Sequence, residues 1–345
     1  MIEPPASVVV TGANGFIAQH CIAALLEQGY HVVGTVRCAD KAARVGKTHG
    51  AHARLGIVVV EDLTRASSYV AALGGMAARP RAILHLAAPF DYRARDFERD
   101  VMIPAVGGTR AVLEAAQHMG SVRRVVHTSS FACIYDASAG PQPGKTYTER
   151  DWSPLGYADG VGAADAAAAY RASKAAAEKA AWAFMDEARR GFDLVSLCPA
   201  MVFGPWLPGA RPRRVADVNT SNRLVWEVLT AGREQPVPPT RGPVWVDVRD
   251  VAQAHVQALR VAEAGGRRLL LCQGVYCNQE LADVGRAVEG AKPTRSRVPV
   301  GEPGRREWQQ HFGADASEAE RVLGMRWRGL RECLGDLMPQ LAELG

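Results

Sequence analysis

Short runs of branched apolar residues alternate along this chain with longer stretches in which apolar positions return every three or four residues. Residues 7–10 (SVVV) read as a first strand, followed by a Gly-rich turn and an apolar-periodic helix over 17–27 that Gly29 stops. Further strands are predicted at 31–36, 57–60, 82–86, 124–128, 193–197 and 269–272, with a helix over 106–119. Strand–helix alternation of this kind predicts an α/β fold: a Rossmann-type, doubly wound parallel sheet covered by helices on both faces. Two stretches break the rhythm. Residues 136–165 are rich in Gly, Pro and Ala and too long for a plain connection, so they are expected to shape a site. Residues 204–242 carry several Pro and a run of Arg, and with 274–345 they are expected to form a smaller C-terminal α/β substrate domain. The dinucleotide-binding domain then comprises 1–203 with 243–273.

The turn after the first strand is Thr11-Gly12-Ala13-Asn14-Gly15-Phe16-Ile17-Ala18, opening into a helix. Glycines there permit a tight turn and let backbone approach a pyrophosphate, whose charge the helix-start N–H groups meet. The spacing is GxxGxxA rather than GxGxxG, so its position between strand and helix carries the dinucleotide reading. The second strand ends at Val36, and Arg37 follows. An acidic residue at this point would take the ribose 2′-hydroxyl of NAD, whereas an Arg accommodates the 2′-phosphate of NADP. Lys41 adds a second charge, and the cofactor expected is NADPH/NADP+. Asp62, after the third strand, suits either an adenine amino group or a helix N-cap.

Tyr170-Arg171-Ala172-Ser173-Lys174 opens a strongly helical, Ala-rich stretch. Positions i and i+4 share a helix face, so Lys174 can lie beside the Tyr170 hydroxyl. A phenol with a pKa of about 10 is a poor acid–base catalyst at neutral pH, and a neighbouring ammonium lowers it. With eight Tyr and six Lys in 345 residues, a chance YxxxK is expected roughly 0.14 times, and this chain holds one. Thr128-Ser129-Ser130 ends the fifth strand, at the carboxyl edge where doubly wound sheets bind ligands. A Ser there can cap a turn or donate to a substrate carbonyl.

In this order the motifs resemble those of the extended short-chain dehydrogenase/reductases, and within them the fungal NADPH-dependent carbonyl reductases of the methylglyoxal/isovaleraldehyde type, close to dihydroflavonol reductases. The matching runs are VTGANGFIAQH (10–20), GTVR (34–37), HLAAPF (85–90), VVHTSSFACIYD (125–136), YRASKAAAEKAAW (170–182), CPAMVFGP (198–205), NTS (219–221), WVDVRDVAQAH (245–255) and LGMRWRGLRE (323–332). The resemblance implies a catalytic trio of Ser130, Tyr170 and Lys174. It implies cofactor contacts at Gly12, Ala13, Asn14, Gly15, Phe16, Ile17, Arg37, Lys41, Asp62, Leu63, Leu86, Ala87, Ala88, Thr128, Tyr170, Lys174, Pro199, Val202 and Ser221. The segment GYADGVGAADAAAA (156–169) departs from the family's more polar sequence, which bears on substrate choice.

The expected reaction is NADPH-dependent reduction of a ketone or aldehyde to an alcohol, with a small-molecule carbonyl as the partner. A hydrophobic carbonyl pocket is expected beside Ser130 and Tyr170, with Phe90, Phe131, Tyr135, Phe203, Trp206 and Trp226 as candidate walls. Phe131 and Phe203 could equally be buried against the sheet. Two other functions compete. A nucleotide-sugar epimerase or dehydratase shares the Tyr–Lys pair but usually holds NAD through an acidic residue where Arg37 stands. A non-catalytic NADP-sensing regulator would typically lack the pair.

Composition excludes more than it adds. A net charge of +5 comes from Arg scattered along the chain, with no basic stripe for nucleic acid. The seven cysteines are odd in number and lack CxxC spacing, so no metal site is expected and reduced thiols fit a cytoplasmic protein. No window approaches 18 apolar residues, and the N-terminus enters a strand at once, which predicts a soluble chain without a membrane span, as monomer or homodimer.

Overall fold

The structure is a computed structural model that describes residues 1–75, 78–88, 94–187, 190–288 and 296–344. Its strands are β1 Ser7–Thr11, β2 His31–Val36, β3 Leu55–Val59, β4 Ala82–His85, β5 Arg124–Thr128, β6 Thr146–Tyr147, β7 Asp193–Pro199, β8 Met201–Phe203, β9 Val244–Asp247, β10 Arg268–Leu271, β11 Gly274–Val275 and β12 Gly313–Ala314. The helices are α1 Phe16–Glu27, α2 Ala39–His49, α3 Ala66–Gly74, α4 Ile103–Met119, α5 Tyr157–Val161, α6 Ala166–Asp186, α7 Thr220–Leu229, α8 Val248–Arg260, α9 Asn278–Ala287, α10 Ser317–Leu323 and α11 Leu330–Ala342.

All seven strands read from the apolar runs pair in one parallel sheet, in the order β10-β7-β5-β4-β1-β2-β3. Successive strand residues point to opposite faces. Val8, Val10, Leu84, Val126 and Val195 therefore enter one core with α1 and α8. Val9, Ile83, Val125 and Leu194 enter the other, with α3, α4 and α6. Both faces are covered, which is why these strands read as continuous apolar runs rather than alternating ones. The order reverses at β1: β4 lies on one side and β2 on the other. Ligands of such sheets bind in the crevice at the strand ends there.

A second, three-stranded sheet runs β11-β9-β8, with β8 and β9 parallel and β11 antiparallel to β9. It is a partition. Val202, Val244 and Val246 face the core of the large sheet, whereas Phe203 and Trp245 face a separate core built on α7, α9 and α11. The positions 203/204 and 242/243, where the sequence divides the chain, lie at this shared sheet. Segment 136–165 contributes β6, which pairs with β12, so the connection is pinned to the C-terminal part of the chain. Among the described residues, no helix is long and apolar enough to cross a membrane.

Candidate functional site

The Gly-rich turn is shaped by backbone geometry. Gly12 has φ +65°, in the left-handed region, and a Cβ there would fall 2.9 Å from the Cα of Ala87. Only glycine meets both conditions. Thr11 holds the facing segment in place: its Oγ1 accepts from the N–H groups of Leu86 (3.1 Å) and Ala87 (3.0 Å). With its lone pairs so engaged, the Thr11 hydroxyl donates to Nδ1 of His85 at 2.9 Å. The β1 turn and the end of β4 thus form the two lips of a groove of about 230 Å³.

Of the residues expected to hold the cofactor, Gly12, Asn14, Gly15, Arg37, Lys41, Leu63, Leu86, Ala87 and Ala88 line this groove together. Arg37 and Lys41, on either side of the α2 start, make no ion pair among the described residues. Burial, with the Arg37 charge adding to it, holds the Lys41 ammonium below its ordinary pKa. Two uncompensated cations in one crevice fit the 2′-phosphate of NADP, and the Cβ-free approach of Gly12 fits a pyrophosphate. Among the described residues, no acidic side chain lines the groove.

Other candidates stand elsewhere. Ala13 is buried with its methyl against Gly34, and Ile17 packs on the large core. Asp62 closes the turn before α3, accepting from the N–H (2.9 Å) and hydroxyl (2.6 Å) of Thr64 and pairing with Arg65. Those Thr64 hydrogen bonds hold its carboxyl below the usual range. Pro199 ends β7, Val202 is buried in the partition sheet, and Ser221 lies in the first turn of α7. Thr35, Val36, Tyr69, His85, Pro104 and Gly108 also line the groove, and sequence reasoning missed them. The glycine pair 107–108 inside a helical pattern was the available signal, because Gly108 lies under the Leu63 carbonyl.

At the end of β5, Ser130 starts a short 3₁₀ turn, and its Oγ accepts the Ala132 N–H at 3.1 Å, which leaves its O–H to donate. Helix α6 packs on this turn and is itself started by Asp165, whose carboxylate accepts the Ala168 N–H at 2.7 Å. Tyr170 is half-buried on that helix. One turn on, Lys174 is buried and its Nζ donates to the Thr128 carbonyl at 2.7 Å. The helix carrying Tyr170 and the strand end carrying Ser130 are therefore joined by Lys174. Burial lowers its pKa, opposed by the Glu178 carboxylate. The Thr128 hydroxyl lies 2.7 Å from Nε2 of His255, whose Nδ1 lies 2.7 Å from the Val251 carbonyl. A carbonyl only accepts, so Nδ1 carries the proton and Thr128 donates to Nε2.

Beneath the site lie three buried imidazoles: His85, stacked on His127 with centroids 5.5 Å apart, and His255. Burial lowers the pKa of His85 to about 3 and of His255 to about 4, and puts His127 well below 6.5. The folded protein keeps these rings neutral while the unfolded chain protonates them near 6.5, so the unfolded state binds more protons as pH falls below that value. The melting temperature is expected to drop progressively from pH 6.5 toward pH 4. A flat profile across that window would contradict the assignment.

The five described candidate pocket walls do not share one cavity. Phe131 and Tyr135 stack at 5.2 Å, joined by Phe312 and Tyr147 in an aromatic cluster directly after Ser130. Phe203 is fully buried, stacked on Trp245 and edge-on to Tyr276, so it belongs to the second core. Trp226 packs on that core from its edge under Arg223. Trp206 meets Phe16 at 6.2 Å and lines a cavity of about 680 Å³. That cavity carries Arg44, Lys47, Arg211, Arg213 and Arg214 and includes neither Ser130 nor Tyr170. Phe90 lies outside the described residues.

Among the described residues, no group of three or more His, Cys, Asp or Glu is arranged to hold a metal. A family model described as the NAD dependent epimerase/dehydratase family matches residues 8–271. The chain is 33% identical over 343 residues to the NADPH-dependent methylglyoxal reductase GRE2 of Saccharomyces cerevisiae, covering 98% of each. It is 34% identical to the ketoreductase azaE of Aspergillus niger, covering 97% of each. The crystal structure of the yeast methylglyoxal/isovaleraldehyde reductase Gre2 with NADPH superposes at a TM-score of 0.89 with 32% identity, over 97% of this chain and 98% of that one. The chain belongs to the NAD-dependent epimerase/dehydratase family, the extended branch of the short-chain dehydrogenase/reductases.

Proposed function

We propose that this protein is an NADPH-dependent carbonyl reductase that converts a hydrophobic ketone or aldehyde to its alcohol through Ser130, Tyr170 and Lys174. The observation that carries this reading is the buried Lys174 ammonium, hydrogen-bonded at 2.7 Å to the strand end that presents Ser130 and one helical turn from Tyr170. Burying an ammonium is costly, and its hydrogen bond to the Thr128 carbonyl and proximity to Glu178 offset part of that cost. The reductase names of the similar fungal proteins support the activity, and the NADPH-bound relative supports the cofactor. Arg37 and Lys41 select the 2′-phosphate.

Bound NADPH supplies the hydride that adds to the carbonyl carbon. Ser130 donates a hydrogen bond to the carbonyl oxygen and fixes its direction. Tyr170 gives its phenolic proton to that oxygen as charge develops on it, and Lys174 stabilises the resulting phenolate. The larger share of the rate gain comes from holding the carbonyl in line and from donors already in place.

Tyr135, half-buried in the aromatic cluster just after Ser130, favours an apolar substrate, whereas Phe131 is buried in the core of the large sheet. Rates of NADPH consumption across aliphatic aldehydes, 1,2-dicarbonyls, β-keto esters, aryl ketones and charged keto acids test this. The uncharged, hydrophobic carbonyls are expected to give the higher kcat/KM; fast reduction of a charged keto acid would show that the pocket is built from other residues.

A further inference from the structure

The motif run YRASKAAAEKAAW holds a third residue on the Tyr170–Lys174 face. Glu178 is one turn beyond Lys174 and is fully buried. Both of its oxygens are engaged. Oε1 accepts from the Ser196 hydroxyl (2.5 Å) and Nε of Arg268 (2.9 Å), and Oε2 from the Ser129 hydroxyl (2.7 Å) and Nη2 of Arg268 (3.2 Å). The Arg268 side chain is 8% exposed. Its remaining donors reach the carbonyls of Glu149 (2.7 Å), Asp151 (2.5 Å) and Cys133 (2.9 Å), so all five N–H groups of its guanidinium are used. Its face lies 3.7 Å from the Trp152 ring centroid.

We propose that Glu178 and Arg268 are a positioning pair for catalysis, fixing the strand end that carries Ser130, and the turn and loop that follow it, against the helix that carries Tyr170 and Lys174. The proposal rests on the Ser–Tyr–Lys reading above. Ser129 is the neighbour of Ser130 and hangs directly on Glu178. Cys133 closes the 3₁₀ turn that Ser130 starts, and Glu149 and Asp151 belong to the long segment expected to shape the site. One ion pair therefore connects β5, β7, β10, α6 and that segment. Replacing a buried ion pair by well-packed apolar residues is often neutral for stability, so its contribution here lies in geometry. Small displacements of catalytic groups are enough to cost large factors in rate.

The pair also sets the field at Lys174. The titratable groups facing that ammonium are Glu178 on its own helix, Cys133 after β5, Cys198 on β7, and His85 and His127 on β4 and β5. Burial keeps both thiols protonated and both imidazoles neutral, which leaves Glu178 as the charged member of the set. Glu178→Gln leaves Arg268 uncompensated and makes the surroundings more positive. The alkaline limb of kcat, to which Tyr170 and Lys174 contribute jointly, then moves to lower pH. Arg268→Met makes the surroundings more negative and moves the same limb to higher pH. A merely structural role would move neither.

The experiment compares wild type, Glu178→Gln, Arg268→Met, Ser129→Ala and Tyr170→Phe by kcat, KM, the pH profile of kcat, melting temperature and NADPH affinity from fluorescence titration. Expected are a loss of about tenfold or more in kcat for Glu178→Gln, NADPH affinity close to wild type, and opposite pH displacements for the two charge variants. Ser129→Ala removes a single hydroxyl and leaves no buried charge unpaired, so it carries the test where a charge variant fails to fold. It is expected to lower kcat several-fold with little change in NADPH affinity. If Tyr170→Phe is inactive while the folded network variants keep wild-type kcat and pH profile and lose only melting temperature, the positioning role is overturned by itself. If Tyr170→Phe keeps turnover, the site reading fails and this proposal fails with it.

Discussion

Tyr170→Phe lowers kcat by at least about a hundredfold while leaving NADPH affinity nearly intact, because it removes the proton donor and keeps the ring. The expectation follows from position. Tyr170 is half-buried on α6, one turn before a buried lysine that is itself tied to the Thr128 carbonyl. Without the phenolic proton, the oxygen that receives charge during hydride addition has Ser130 alone to stabilise it. Lys174→Ala is expected to be worse in a distinguishable way, since it also cuts the link between α6 and β5. Steady-state kinetics with a saturating carbonyl, paired with direct NADPH titration, separate the two. Turnover near wild type in Tyr170→Phe would remove the acid–base assignment.

Arg37→Glu is expected to invert cofactor preference toward NADH. A charge-assisted contact to a 2′-phosphate contributes about 1.5–3 kcal/mol, or roughly ten- to a hundredfold in affinity. Reversing the charge removes that contact and adds repulsion, while a carboxylate there can accept from the ribose 2′-hydroxyl. Lys41 remains, so residual NADPH binding is expected, and kcat at saturating cofactor should change little because Arg37 lines the groove beside Gly12, which neither Ser130 nor Tyr170 lines. Equal affinities of the wild type for NADH and NADPH would contradict the reading of this groove.

Sequence alone carried the large sheet because its strands, the edge strand β3 excepted, are buried on both faces. SVVV, AILH and RVVHT each hold an unbroken apolar stretch with the polar residues at its ends, so each run announced itself. The same logic hid the second sheet. Met201–Phe203 follows β7 after a single residue and Val244–Asp247 opens directly into α8, so neither stands apart as a run, and only their division between two cores distinguishes them. Phe203 illustrates the difficulty: an aromatic after a strand end is as suited to a pocket wall as to a core, and here Trp245 and Tyr276 enclose it. The glycine turn, Arg37 and the Tyr–Lys spacing were legible because their chemistry depends on neighbours in sequence. The Glu178–Arg268 pair was not, because 90 residues separate its members and neither stands out on its own.

The family shelters both epimerases and reductases, so membership leaves the reaction to be decided by the site. Arg37 and Lys41 favour a phosphorylated ribose over the plain ribose of NAD, and the intact Tyr170–Lys174 pair disfavours a sensor that binds without turnover. The most direct test is to mix the purified protein with NADPH or NADH and a panel of uncharged aldehydes and ketones, following reduced-cofactor absorbance and the alcohol formed. NADPH should be consumed one for one with alcohol, and NADH should require concentrations roughly ten- to a hundredfold higher. NADPH bound but never consumed, or NAD retained tightly through purification with no net redox change, would contradict the account.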